Sequence, residues 1–166
     1  MMLGEIRDAE TAELAVRISL TGHLVFSTLH TNDAAGAIIR LLDMGIDPFL
    51  VSSSVILIIA QRLVRLICPH CKEKSEQSFF HGRGCEACRF SGYKGRTGIF
   101  EMLEVSDEIR EMILKKLPAH RIKEKAVSSG MKVLKESGSE KVKEGLTTME
   151  EVLRVTQEEE PAKAAG

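Results

Sequence analysis

The chain has 166 residues, of which 43% are hydrophobic and 28% charged, and its formal net charge is -1. This length accommodates one ordinary domain plus a small appendage, and the balanced charge gives no overall argument for a nucleic-acid-binding or membrane-binding protein. The longest apolar run, residues 55–60, is far shorter than the ~20 residues of a transmembrane helix, and the N-terminus shows no signal-peptide pattern, so we expect a cytoplasmic protein.

Short apolar segments alternate with helical patterns over the first 66 residues. The opening MML is expected to be the end of a buried strand, and HLVFSTLH a second strand. Helices are predicted over DAETAELAVRISLTG, with Leu14, Ala15 and Ile18 on one face, over AAGAIIRLLDMG, and from Pro48 through FLVSSSVILIIAQ. This alternation predicts βα units, so residues 1–66 are expected to form the later part of an α/β domain with a mostly parallel sheet.

The rest of the chain divides by composition. RLVRLICP is a predicted strand, and the region after it carries two cysteine pairs and little hydrophobic periodicity. RTGIFEML is a predicted strand, SDEIREMILKKL a helix capped by Ser106, and TTMEEVLRVT a helix that begins with a capping box from Thr147 to Glu150. The sequence therefore predicts a metal-binding subdomain at 67–96, a returning strand and helical region at 97–157, and a disordered tail at 158–166.

The four cysteines occur as two CxxC pairs, Cys68 with Cys71 and Cys85 with Cys88, thirteen residues apart. In a reducing compartment such pairs indicate a metal site rather than disulfides. Two such knuckles can place four thiolates at ~2.3 Å from one ion, which completes the tetrahedral shell of a structural zinc site. An iron–sulfur cluster uses the same ligands and is the alternative metal centre, while small buried thiols without metal are the structural alternative.

Basic side chains outnumber acidic ones around the cysteine pairs, with eight lysines and arginines against three glutamates in residues 61–97. Such a face suits an acidic protein, acidic lipid headgroups or nucleic acid, and a solvated basic surface is the simpler alternative. Nucleic acid is the weakest of these partners, because Phe90 and Tyr93 provide little aromatic surface for bases. His70 and His81 are alternative metal ligands, but four cysteines already complete the shell, so both are expected at the surface.

Glu5 follows directly after the first predicted strand. The carboxyl ends of strands are where α/β sheets bind their ligands. In a nucleotide hydrolase a carboxylate at this position orients or deprotonates the attacking water, and Arg7 and Asp8 would fix its geometry. The alternative is a glutamate that only interacts favourably with the positive end of the following helix.

Two histidines, His23 and His30, bracket the predicted strand HLVFSTLH. In a regular strand their odd separation places them on opposite faces and ~20 Å apart, so they cannot share a metal or a substrate atom. His30 ends the strand beside Thr28, on the same sheet edge as Glu5, where its imidazole would donate to a terminal phosphate. The alternative for either histidine is a hydrogen-bonded structural role.

Combined in order, these motifs are far more specific than any one of them. The stretch GEIRDAETAELAVRISLTGHLVFSTLHTNDAAGAIIRLLDMGIDPFLV, followed by QRLVRLICPHC, GCEAC and GYKGRTGIFEML, closely resembles the C-terminal half of secretion ATPases. These are the motor proteins of type II secretion and type IV pilus assembly. The resemblance runs from residue 3 to about 156 and includes TTMEEVLRVT as the closing helix.

The resemblance implies a partial RecA-like (P-loop NTPase) α/β fold with an inserted tetracysteine zinc subdomain and a helical C-terminal tail. It also implies a homo-hexameric ring, peripheral at the cytoplasmic side of the inner membrane, which hydrolyses Mg-ATP and acts through an inner-membrane platform protein. LGEIRD resembles the end of the Walker B element, and TGHLVFSTLHT resembles the His box. The implied catalytic residues are Glu5 and His30, with support at the nucleotide edge from Arg7, Asp8, His23 and Thr28, and zinc ligands Cys68, Cys71, Cys85 and Cys88.

One element of such ATPases does not occur in this sequence. No G-x-x-x-x-G-K-[ST] pattern is found, so the loop that cradles the phosphates is missing from the 166 residues. We therefore expect the chain to be the C-terminal half of an ATPase, without hydrolysis on its own. The alternative is a zinc-stabilised binding module whose knuckles and basic face dock the platform protein or acidic lipid.

Overall fold

A computed structural model describes residues 1–74 and 79–156. The chain divides into two compact units, the first formed by Met1–Ala60 with Met102–Met131 and the second by Gln61–Glu101 with Lys132–Gly166. None of the helices among the described residues combines the length and apolarity that crossing a membrane requires. The tail predicted to be disordered, 158–166, lies outside the described residues.

Helices dominate the first unit, and most start at a side-chain cap. They are α1 (Ala9–Leu20), α2 (Ala34–Asp43), α3 (Pro48–Ser54), α4 (Asp107–Leu114) and α5 (Ala119–Ser128). The side chains of Asp8, Asp33, Asp47 and Ser106 each accept a hydrogen bond from a backbone N–H of the helix that follows. α3 packs against α4, and α2 packs against α5. The helix starts were predictable because a capping residue acts on its own first turn.

Two details of the predicted helices are wrong. The buried face of α1 consists of Ala12, Ala15 and Val16, whereas Leu14 is 50% exposed. The third helix was expected to continue to Gln61 but ends at Ser54, because the strand β1 (Leu57–Ile67) begins three residues later. Isoleucine and valine are dense in this stretch, and such β-branched residues favour a strand when a partner strand is available.

That partner is β4 (Tyr93–Glu104), which begins earlier than the predicted strand RTGIFEML. Val105 N donates to Ile56 O just beyond one end of the pair and Cys68 N donates to Gly92 O at the other, so the two strands run antiparallel. The expected mostly parallel sheet is therefore not what the described residues form. Their one parallel bridge joins Met2 to Phe26, where the two predicted N-terminal strands meet, and backbone hydrogen bonds continue this contact as far as Ile6 and Thr28.

The second unit also contains the hairpin β2 (Lys72–Lys74) and β3 (Phe80–Gly82), a 3₁₀ turn at Glu86–Cys88, α6 (Leu134–Lys143) and α7 (Met149–Thr156). α6 packs against α7. The predicted capping box is displaced by one residue, because Thr148 Oγ1 accepts from Glu151 N at 3.3 Å. Thr147 is buried and donates to Arg65 O at 2.7 Å.

Candidate functional site

The four cysteine sulfurs form one cluster. All four Sγ atoms lie within 4.8 Å of one another, and none of the cysteines is in a disulfide. The Sγ–Sγ distances are 3.9 Å for Cys68 and Cys85, 3.8 Å for Cys71 and Cys88, and 3.7 Å for Cys85 and Cys88. A tetrahedron with metal–sulfur bonds of ~2.3 Å has edges of about 3.8 Å. The cluster therefore has the dimensions that a single tetrahedral ion requires.

Backbone amides point at two of these sulfurs. Gly84 N donates to Cys71 Sγ at 3.3 Å, and Cys85 N donates to Cys88 Sγ at 3.2 Å. Burial raises the pKa of the Cys71 thiol to about 12. Burial also acts to raise the pKa of Cys88, but amide donors from Cys85 and Gly92 and the neighbouring thiols outweigh it and lower that pKa to about 6. The thiolate is the form that binds metals, and amide donors directed at a sulfur stabilise that form.

Two glycines permit the close backbone packing beside the cluster. A Cβ on Gly82 would lie 2.0 Å from Gly92 O, and Gly92 has φ +76°, in the left-handed region that favours glycine. Cys68 N donates to that same Gly92 oxygen at 2.9 Å. His70 and His81, the alternative ligands considered from the sequence, are exposed and lie outside the cluster, as expected.

A second group of predicted residues comes together in the first unit around Glu5. Arg7 Nε donates to Glu5 Oε2 at 2.7 Å, and His30 Nε2 contacts Glu5 Oε1. The Glu5 side chain is 21% exposed, whereas that of His30 is 88% exposed. A largely covered carboxylate is therefore joined to two solvent-facing groups, the guanidinium of Arg7 and the imidazole of His30.

Backbone pairing holds the two segments of this group together. Ile6 N donates to Thr28 O at 2.9 Å, and Thr28 Oγ1 donates to Gly4 O at 2.9 Å. Leu3 N donates to Phe26 O at 2.8 Å. Through these two hydrogen bonds, Thr28 holds the segment that leads to His30 against the segment that contains Glu5.

The contacts of Asp8 and His23 are with other residues. Asp8 accepts from Thr11 N at 2.8 Å as the cap of α1, and this hydrogen bond lowers the pKa of Asp8. His23 Nδ1 lies 2.9 Å from Thr21 Oγ1. The structure thus brings Arg7, His30 and Thr28 to Glu5 or its segment, and it engages Asp8 with the helix start instead.

A buried ionic network in the second unit was not predicted. The Glu151 side chain is 1% exposed. Arg65 Nη2 donates to Glu151 Oε1 at 2.5 Å, and Arg154 donates to both Glu151 oxygens at 2.9 Å. Arg65 N also donates to Glu151 Oε2 at 3.1 Å. These hydrogen bonds, of which those from Arg154 have the largest effect, hold the pKa of Glu151 far below its usual range. The spacing of Glu151 and Arg154 on one helix face was visible in the sequence, but the pairing with Arg65 was not.

Comparison with known proteins extends over almost the whole chain. Residues 1–154 match the family described as Type II/IV secretion system protein. The chain is 49% identical over 158 residues to the type II secretion system protein HxcR of Pseudomonas aeruginosa, covering 95% of this chain and 34% of that protein. It is 48% identical over 174 residues to the type IV pilus assembly ATPase PilB of Thermus thermophilus, covering 94% of this chain and 20% of that protein.

Solved structures agree with these relatives. The pilus retraction motor PilT with bound ADP aligns with a TM-score of 0.68 and 27% identity, over 95% of this chain and 39% of that chain. The ATPase DotB of Legionella pneumophila aligns with a TM-score of 0.64 at 23% identity, over 93% of this chain and 37% of that chain, which shows a shared fold. The chain spans between 20% and 34% of the two curated relatives named above. It belongs to the type II/IV secretion system protein family.

Proposed function

We propose that this chain is the C-terminal part of an ATP-hydrolysing motor that drives type II secretion or type IV pilus assembly. In this proposal Glu5 is the catalytic carboxylate and His30 contacts the γ-phosphate. The observation that carries it is the contact of Glu5 with both His30 and Arg7. Relatives that cover nearly the whole chain include proteins described as ATPases of both systems.

The arrangement around Glu5 suits the orientation of an attacking water. The surrounding residues restrict the orientation of a mostly covered carboxylate. Arg7 donates a hydrogen bond to only one of the Glu5 oxygens, Oε2. The other oxygen faces His30, which is exposed enough to turn towards a phosphate. Hydrolysis of a phosphoanhydride depends on positioning and charge stabilisation, and these are what such a group can supply.

The proposal assigns no autonomous turnover to these 166 residues. A phosphate-binding loop must supply affinity and positioning, and the sequence contains no such pattern. The motor would act as a homo-hexamer on Mg-ATP, peripheral at the cytoplasmic side of the inner membrane. The four-cysteine cluster would hold zinc in a structural role, since four thiolates leave no open coordination position.

A chimaera tests the assignment of Glu5. Residues 1–156 of this chain would replace the matching segment of the 49%-identical relative HxcR, which supplies the remainder of the protein. We expect the chimaera to hydrolyse ATP and Glu5→Gln to lower kcat by about 100-fold or more, because a positioned general base contributes roughly 10²–10⁴-fold. ATP turnover by the unfused chain is expected to be absent.

Glu13→Gln is the matched control, since Glu13 is an exposed carboxylate of α1 that pairs with Arg17. It should leave kcat unchanged. A Glu5→Gln chimaera that keeps its zinc and still hydrolyses ATP at the parent rate would contradict the assignment, as would robust turnover by the unfused chain.

A docking role is the second candidate, favoured by the exposure of basic side chains near the cysteine cluster. The exposed residues are Lys72, Lys74, Arg83, Arg89, Lys94 and Arg96. Such a face suits an acidic region of an inner-membrane platform protein or acidic lipid headgroups. This role requires binding of the platform protein's cytoplasmic part that is lost in Cys68→Ser and does not respond to nucleotide. Binding that persists in Cys68→Ser would contradict it.

A further inference from the structure

Three arginines of the second unit line one cavity. Arg65, Arg96 and Arg154, together with Leu63, line a cavity of about 430 Å³ that is open to solvent. The proposed ATP chemistry uses none of these residues, because Glu5 and His30 belong to the first unit. Guanidinium groups repel one another, so a cluster of three requires an explanation.

Carboxylates compensate this cluster only in part. Glu151 binds Arg65 and Arg154, and both of its oxygens are fully engaged by them. Glu150 is the other carboxylate whose charge acts on Arg65. Within the described ranges Arg96 is exposed and has no hydrogen-bond or ion-pair partner. Among the described residues, Glu151 therefore bonds to two of the three guanidinium groups, and the charge of Arg96 has no bonded carboxylate.

One donor of the cluster is also unsatisfied. Arg65 Nε is buried and has no hydrogen-bond partner within the described part of the chain. Buried donors in proteins are nearly always paired, so this one requires an acceptor such as an ion, a water molecule or a bound ligand. The Arg65 guanidinium itself is held in place, since it lies 4.2 Å from the centre of the Tyr93 ring and binds Glu151. Arg154 is held by two bonds to the same carboxylate.

We propose that this arginine cavity binds the phosphoryl group of a small phosphorylated organic molecule. A guanidinium fork matches an oxyanion with two parallel N–H donors. The planar carboxylate of Glu151 is already saturated by the Arg154 fork together with one guanidinium N–H and the backbone N–H of Arg65. A tetrahedral phosphoryl group offers three acceptor oxygens that point in different directions, so it can accept from Arg96 and from the N–H groups of Arg65 and Arg154 that Glu151 leaves unused.

The size and lining of the cavity favour an organic phosphate over a bare ion. About 430 Å³ lies within the range of roughly 300–1,000 Å³ that is typical of small-molecule sites. Leu63 is 49% exposed and provides an apolar wall beside the arginines. Glu151 already holds Arg65 and Arg154 in place, so binding of the ligand costs little side-chain entropy at these two residues. Arg96 is the arginine whose side chain would move towards the ligand.

Isothermal titration calorimetry of the zinc-loaded 166-residue chain with phenyl phosphate at pH 8 tests the proposal. We expect saturable binding at one site per chain, at least tenfold weaker in Arg96→Gln and intermediate in Arg96→Lys, which keeps the charge but loses the planar fork. Arg121→Gln is the matched control, because Arg121 is an exposed arginine that pairs with Glu124 and belongs to neither proposed site. It should bind phenyl phosphate like the parent chain.

Other probes distinguish the chemistry of the ligand. If benzoate binds as tightly as phenyl phosphate, the site does not prefer a phosphoryl group over a carboxylate. If inorganic phosphate binds as tightly, the organic group of the ligand does not contribute to binding, and the proposal of an organic phosphate is overturned. Equal binding by Arg96→Gln and the parent, or no binding to the parent, would overturn the site itself. If Arg96→Gln loses zinc or its thermal transition, Leu63→Asp replaces it, because a new carboxylate in the cavity should compete with the ligand and weaken binding at least tenfold.

The site stands independently of the proposed ATPase role. Glu5→Gln should bind phenyl phosphate with parental affinity, since Glu5 belongs to the other unit. A loss of binding in Glu5→Gln would overturn the assignment of the ligand to the arginine cavity. Failure of the chimaera to hydrolyse ATP, by contrast, would leave this result unaffected.

Discussion

Replacement of Cys71 by serine should abolish stoichiometric zinc binding and lower the free energy of unfolding by more than about 4 kcal/mol, the range reached when a structural metal is lost. Cys71 is 4% exposed, so the serine hydroxyl would be buried beside three thiols with no metal to hold them. Three remaining sulfurs leave one coordination position open, and a neutral hydroxyl is a poor ligand for zinc. The measurements are zinc content of the purified chain and its thermal unfolding.

His70→Ala is the matched control for this substitution. His70 lies between the two cysteines of the first pair, but it is exposed and outside the cluster. The alanine variant should retain one zinc and the parental unfolding transition. A Cys71→Ser variant that kept full zinc would contradict the four-thiolate shell. Iron with visible charge-transfer absorption in the parent chain would instead support the iron–sulfur alternative.

Features that depend on neighbouring residues were predicted well from the sequence. Ser106, the predicted cap of α4, lies three residues before the amide it binds. The cysteine cluster was predicted for the same reason, since each CxxC pair forms its own knuckle and the chemistry of four thiolates determines the shell. The neighbourhood of Glu5 and His30 followed from two strand ends that meet at one edge.

Features that depend on distant partners were missed. Arg65 and Glu151 are separated by 86 residues, and nothing in either local sequence indicates the other. The end of α3 was misplaced because residues 55–60 are compatible with a helix until β4 provides a partner strand. The one-residue displacement of the last cap has a similar origin: Thr147 is engaged by Arg65 O, which leaves Thr148 to cap α7.

Glu151→Gln is expected to lower the free energy of unfolding by about 3–5 kcal/mol, the cost of breaking a buried ion pair on one side. The Glu151 side chain is 1% exposed and accepts from both Arg65 and Arg154. A glutamine amide would retain the shape but would turn N–H donors towards guanidinium donors. Chemical denaturation at pH 7 measures the change. Glu150→Gln is the control, because Glu150 is exposed in the same helix turn, and it should shift stability by less than about 0.5 kcal/mol.

Glu151 should also determine how the free energy of unfolding falls at acid pH. Its pKa in the folded chain lies far below the ordinary value of 4.5, so its contribution is fully present above that ordinary pKa and is lost as the pH falls towards the folded value. In Glu151→Gln this contribution is absent at every pH, so the fall in stability below about pH 4.5 should be shallower than in the parent chain. Parallel acid limbs for the two proteins would show that Arg65 and Arg154 do not stabilise the ionised form of Glu151. The network matters beyond stability, because it also fixes two of the three guanidinium groups that line the cavity.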